Sequence, residues 1–180
     1  MGYIGETDKK GSIQTSKMID LEKHKALAQE DLKVHKKLVQ TLKKKKPKDL
    51  DTITHALHED AFEHIDCLEC ANCCKSISPI VRDKDIQRIA KYLRVKPSWF
   101  VTEYLLLDNE GDYVFKTQPC PFLGADNYCS IYSARPKACA EYPHTDRNKF
   151  RQILPLSLKN TIICPAVHEV FKGLSEHYKK

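Results

Sequence analysis

Cys67, Cys70, Cys73 and Cys74 fall within eight residues, and Cys120, Cys129, Cys139 and Cys164 follow singly. Two-residue gaps let successive sulfurs turn inward toward one centre, the spacing used by zinc knuckles and by ferredoxin-type runs. All eight are therefore candidate metal ligands rather than packing residues. Cys67, Cys70 and Cys73 reproduce the first three ligands of a C-x2-C-x2-C run, but Cys74 follows at once instead of four residues on. Vicinal side chains point apart, so Cys73 and Cys74 are expected to serve different metals, or one of them to stand outside the ligand set. Two Cys-Pro pairs, Cys120-Pro121 and Cys164-Pro165, repeat the way a ferredoxin run ends and favour an iron–sulfur cluster, although zinc tolerates the pair too. Eight thiolates make either two four-ligand sites or one cluster with a second, mixed site.

Other residues near the cysteines are weaker candidates. His168 lies four residues beyond Cys164, on the same face of a helix, while His144 follows Cys139 and His64 precedes Cys67. Each is expected to be a surface or capping histidine before a ligand, because eight thiolates already suffice; His55 and His58 rank lower still. Asp126 and Asn127 read as a turn before Cys129. Arg135 is expected to tie a loop carbonyl or carboxylate beside Cys139 rather than to bind an anionic substrate. Tyr128, Tyr132 and Tyr142 are expected to form a dry shell around the metal.

Several chemistries lack their residues. The six glycines form no G-x-G turn, which a cradle for S-adenosylmethionine would need, and no C-x3-C-x2-C radical signature is present. Ser/His/Asp hydrolysis has no local motif. A cysteine nucleophile is not expected either, because a metal-bound thiolate has its lone pairs engaged.

The elements that must position the cysteines can be traced along 180 residues, enough for one domain and an extension. With 30% charged and 41% apolar residues and no run near the roughly 18 apolar residues of a membrane helix, no membrane span is expected and the cytoplasm is the expected home. Thiols stay reduced there, so the even cysteine count does not imply disulfides. Residues 1–14 read as a flexible start. Residues 15–64 read as a helical hairpin: one helix from about Ser16 to Lys46, with Met18, Leu21, Ala28, Leu32, Val39 and Leu42 on one stripe, and a second from an Asp51 or Thr52 cap to about His64. Lys33 to Lys48 holds eight lysines and no acid. Since no aromatic residue interleaves, this run reads as a complement to the helix dipole, and nucleic acid is not an expected partner.

Residues 65–180 read as the cysteine domain. Asp83 is expected to cap a helix carrying Ile86, Ile89, Ala90 and Leu93, and Pro97 to open another. A hairpin is expected around Asp108 to Gly111, then mostly loop over 117–163, which buries little apolar surface and is ordered by metal bonds, then a helix from Pro165 to Tyr178. The fold class expected is mainly α with a small β-hairpin and long metal-stapled loops. On this reading Cys70→Ala loosens residues 117–163 together with the four-cysteine knot.

The combined string resembles a known family. Cys67-x2-Cys70-x2-Cys73-Cys74, Cys120-Pro121-Phe122-Leu123, Cys129 to Pro136, Cys139, Tyr142-Pro143 and Cys164-Pro165 are similar to the YkgJ-type cysteine-cluster proteins, described as a zinc- or iron-chelating domain. The resemblance spans about residues 65 to 166. It implies that all eight cysteines belong to the motif, with Arg135 and Tyr142 as companions, and it assigns no activity. A relative of that family, the flagellin lysine N-methylase, carries a similar cysteine set thought to hold an iron–sulfur cluster.

Three functions follow as expectations. The first is a multi-cysteine iron–sulfur or iron centre acting in redox chemistry or as part of a protein-modifying enzyme. The second is a zinc-stapled interaction module without catalysis, and the third is a catalytic non-haem iron enzyme acting on a protein or peptide partner. Iron ranks just ahead of zinc; whether the chain is an enzyme stays open.

Overall fold

Asp20 starts the first helix, α1 (Leu21–Lys45), by accepting the Lys23 N–H at 3.0 Å, which satisfies one of the donors a helix start leaves open. The computed structural model describes residues 19–179, so the expected loose start, Ser16 and Met18 lie outside the described residues. Glu22 occupies the first turn of α1 and Lys43, Lys44 and Lys45 the last, the order that complements the helix dipole. Lys46 turns left-handed ahead of Pro47 and ends the helix. The buried stripe of α1 is His24, Ala28, His35, Leu38, Val39 and Leu42. Leu21 and Leu32, expected inside, are only half-buried, and two histidines take core positions instead.

Helix α2 (Leu50–Phe62) begins two or three residues earlier than expected, with Asp49 rather than Asp51 or Thr52 at its start. Asp51 is engaged elsewhere. Its carboxylate accepts the backbone N–H groups of Lys149 and Phe150 at 2.7 and 3.0 Å, pinning a distant loop to α2. Two short helices follow, α3 (Cys67–Cys70) and α4 (Asn72–Ser76). Arg82, not Asp83, stands at the cap of α5 (Asp83–Leu93); the carboxylate that closes this end belongs to Asp85, which accepts the Arg82 N–H at 3.1 Å. Pro97 opens α6 (Pro97–Tyr104), as expected. The hairpin pairs β1 (Leu105–Leu107) with β2 (Tyr113–Phe115) antiparallel, in the register Leu105 to Phe115 and Leu107 to Tyr113.

Residues 117–163 hold more helix than expected: a 3-10 turn at Tyr132–Ala134, α7 (Lys137–Glu141), a second 3-10 turn at Phe150–Ile153, and α8 (Leu154–Asn160). They also bury apolar side chains, because the segment reaches into two cores rather than one. Helix α9 (Pro165–His177) completes the chain.

One core gathers Leu38, Val39 and Leu42 of α1, Leu50 and Ala61 of α2, Phe150, Leu154, and Val167, Val170, Phe171 and Leu174 of α9. The first two helices thus pack with the last two. Gly173 lets α9 approach α2 closely, since a methyl group there would collide with the Leu57 side chain. The second core joins Ile86, Ile89 and Ala90 of α5 to Phe100, Leu105, Phe115, Phe122 and Ile131. Cys164 belongs to the first core, and Cys120 and Cys129 pack against the second. Among the described residues no helix is long and apolar enough to cross a membrane.

Phe150 is fully buried and carries the loop that Asp51 holds. Phe150→Ala should lower stability by about 3–5 kcal/mol through the cavity it leaves. Urea unfolding of the metal-loaded chain checks this; a loss below about 1 kcal/mol would show that metal bonds, not the core, order the segment.

Candidate metal centre

The cysteine knot is bent by one residue. Ala71 adopts a left-handed conformation (φ 46°) between α3 and α4, and its N–H returns to the Cys67 carbonyl at 2.8 Å. The break turns Cys73 and Cys74 away from the α3 axis. Three polar links then hold distant segments against the knot: Asn72 Nδ2 donates to the Ile163 carbonyl at 2.6 Å, Asn127 Nδ2 to the Glu69 carbonyl at 3.0 Å, and the Cys120 N–H to the Cys74 carbonyl at 2.8 Å. Each link ends beside a cysteine of another segment. Asn127 uses a left-handed turn (φ 65°) to do so, which an asparagine tolerates.

The charges felt by the eight free thiols fall into two overlapping sets, with Cys74 reaching both. Burial raises the Cys164 thiol to about 12, and the cysteines adding to that rise are Cys67 and Cys70. Burial, then the charges of Cys164, Cys73, Cys67 and Cys70, raise the Tyr142 hydroxyl far above its usual range. Cys67, Cys70, Cys73 and Cys164 therefore face one another with Tyr142 beside them. In the other set, burial raises Cys139 to about 12, with Cys74, Cys120 and Cys129 adding to it, and Cys120 to about 11, with Cys74 and Cys129 adding to it. Cys73 and Cys74, with sulfurs 4.0 Å apart, are the seam. Their shared hydrogen bond lowers the Cys74 thiol to about 7 and raises that of Cys73, so one proton leaves the pair readily and the second is held.

Backbone amides already favour thiolates here. The N–H groups of Phe122 and Leu123 pull the Cys120 pKa down against burial, as do those of Ile131 at Cys129, Asn72 at Cys70, and Ala166 and Val167 at Cys164. A cavity of about 320 Å³ is lined by Cys67, Cys73, Cys74, Cys120, Cys129 and Cys139. Raised thiols are neutral at pH 7 until a cation displaces their protons, so this donor set takes up metal with proton release.

A family profile with the description "CxxCxxCC: Putative zinc- or iron-chelating domain" matches residues 66–157, just over half of the 180-residue chain. The chain belongs to the CxxCxxCC family. Membership supports metal binding, by zinc or iron, as the coarse function of this CxxCxxCC protein. No curated protein and no solved structure matches it. The matched segment contains seven of the eight cysteines and stops short of Cys164, which the resemblance had included. The structure nonetheless brings Cys164 to the knot, because α9 begins there and Ile163 is held by Asn72.

Several expectations change within the CxxCxxCC fold. Cys164 lies near Cys67, Cys70 and Cys73, so the last cysteine of the chain returns to the first three. Asn127 ties the Cys129 loop to the Glu69 carbonyl beside Cys70, so the loosening of residues 117–163 by Cys70→Ala stands as an expectation for limited proteolysis to check. Tyr128 and Tyr132 are 57% and 52% exposed and make no dry shell, although Tyr132 lines the cysteine cavity; Tyr142 lines it too, its buried hydroxyl without a hydrogen-bond partner. Arg135 does tie a loop: its Nη1 donates to the Tyr132 carbonyl at 2.9 Å and its guanidinium lies 3.8 Å from the Tyr132 ring centre. Asp126 accepts the Tyr128 N–H at 3.0 Å, making the expected turn.

The histidines go elsewhere. His64 pairs with Glu169 at 2.8 Å and His168 with Asp31 at 2.9 Å, while the His144 ring stands edge-on to Tyr142. His55 and His58 meet the Arg147 carbonyl and the Thr145 hydroxyl, fastening another loop to α2. Among the described residues no histidine joins two cysteines in a group whose ligand atoms lie within 4.8 Å.

If each set binds as a unit, Cys164→Ser removes about half of the bound metal and Cys129→Ser the other half, with the double variant losing both. Elemental analysis of the purified variants decides it. Complete loss from either single variant would mean that the two sets hold one shared centre.

Proposed function

We propose that the chain is a two-centre thiolate protein in which Cys67, Cys70, Cys73 and Cys164 hold one metal centre and Cys74, Cys120, Cys129 and Cys139 hold the other. An iron–sulfur cluster is preferred over zinc. The observation that carries this preference is spacing: among the described residues no three cysteine sulfurs lie within 4.8 Å of one another. A single tetrahedral zinc with bonds of about 2.3 Å gathers its sulfurs to about 3.8 Å apart. A cluster presents several metal corners and accepts a wider set.

The donor chemistry fits either metal, since thiolates suit both. When bound, an iron–sulfur cluster supplies one-electron transfer. The chain's own contribution is to hold thiolates at fixed positions, to aim backbone N–H groups at the sulfurs of Cys70, Cys120, Cys129 and Cys164, and to shield them. N–H donors and burial are the terms by which a protein sets a cluster's potential. Eight free cysteines support a reducing compartment such as the cytoplasm. A groove of about 1170 Å³ beside the exposed Cys67 supports a protein or peptide partner for a redox or protein-modifying role.

Protein purified without oxygen should be brown, with broad visible absorption and iron and sulfide in matching amounts. Colourless protein carrying two zinc ions would overturn the cluster and leave the second reading, a zinc-stapled interaction module.

A further inference from the structure

The α1–α9 interface carries polar chemistry that the cysteines do not use. Asp31 and His35 lie one turn apart on α1, and His168 faces them from α9, one turn beyond Cys164. Their ligand atoms all lie within 4.8 Å of one another, and no other group of three His, Cys, Asp or Glu among the described residues meets that limit. His168 Nε2 and Asp31 Oδ2 are 2.9 Å apart. His24, two turns before Asp31, brings its ring centre to 5.4 Å from that of His168, and His35 brings its own to 5.5 Å.

A histidine–carboxylate hydrogen bond alone would explain His168 and Asp31, but not their neighbours. His35 is 1% exposed and His24 8%, and the His35 Nδ1 and His24 Nε2 atoms are buried without a hydrogen-bond partner. Leaving such a nitrogen unpaired costs about 1–3 kcal/mol. Burial followed by the neighbouring His168 also depresses both imidazoles, His35 to about 4, so they are neutral and their lone pairs are free to act as donors at pH 7. The Ile162 backbone engages the His24 ring, the kind of outer contact that orients a ligating imidazole.

We propose that Asp31, His35 and His168 form a further metal site, with His24 as its neighbouring donor, for a divalent first-row ion such as Fe2+ or Zn2+. Two imidazoles and one carboxylate make a harder donor set than four thiolates, and it leaves coordination positions open. His24 and His168 line the same groove as His64, Glu69 and the exposed Cys67, so the groove reaches two of the four side chains. The site lies outside residues 66–157 and gives α1 a role beyond packing.

Cobalt tests this on the full chain with its cysteine centres already filled. One further equivalent of Co2+ should bind, giving weak visible ligand-field bands without a near-ultraviolet thiolate-to-cobalt band, and raising the thermal midpoint. Two or more strongly shifted imidazole N–H signals should appear in its proton magnetic resonance spectrum. Asp31→Ala, at a half-exposed position, and His168→Gln should each lose this cobalt while keeping the metal held by cysteines. The site is overturned if wild type takes no additional cobalt, if the added cobalt shows the thiolate band or no shifted imidazole signal, or if both variants keep it.

Discussion

Val167, Val170, Phe171 and Leu174 bury their side chains completely against α1 and α2, and the pose of α9 follows from that burial. Each such side chain contributes about 1.5–3 kcal/mol when removed from water. The first residue before this helix is Cys164, and its buried first turn ends at His168, which meets Asp31 of α1. One packing interaction thus delivers a thiol to the knot and an imidazole to Asp31. The close approach allowed by Gly173 shows how little slack the arrangement has, since Leu57 occupies the space a larger residue would need.

The vicinal pair Cys73-Cys74 works on the same principle at shorter range. Its two sulfurs lie 4.0 Å apart in hydrogen-bond contact, and different segments arrive on either side of the pair. On one side α9 arrives; on the other, the loops around Cys120, Cys129 and Cys139 are drawn in through Cys120 N–H, Asn127 and the Phe122–Ile131 core. Because Cys164 belongs to one apolar core and Cys120 and Cys129 pack against the other, bound metal would tie both cores to the knot, which is how metal affinity becomes folding free energy.

Much of the fold was legible along the chain. The hairpin, the Pro97 start of α6 and the apolar positions of α5 and α9 follow from local periodicity and from turn residues. Capping was harder to read. Asp51 and Asp83 are sound capping residues by type, yet Asp51 serves the Lys149–Phe150 backbone and Asp85 closes α5, because a carboxylate goes to whichever buried donors tertiary structure presents. The helices within 117–163 were hidden by prolines at their edges. The burial of His24 and His35 had no signal, since a histidine in an apolar stripe looks like an interruption of it.

What the residues determined by themselves is the donor chemistry: eight thiols, their two-residue gaps and the adjacency of Cys73 and Cys74 are properties of the local chain. Tertiary structure decided the grouping. Cys164 lies 90 residues or more from its three partners, and His168 is 137 residues from Asp31. Spacing along a chain constrains only neighbours within a turn or two; which distant side chains share a centre depends on how helices pack, and that is set by burial of apolar surface rather than by the ligands.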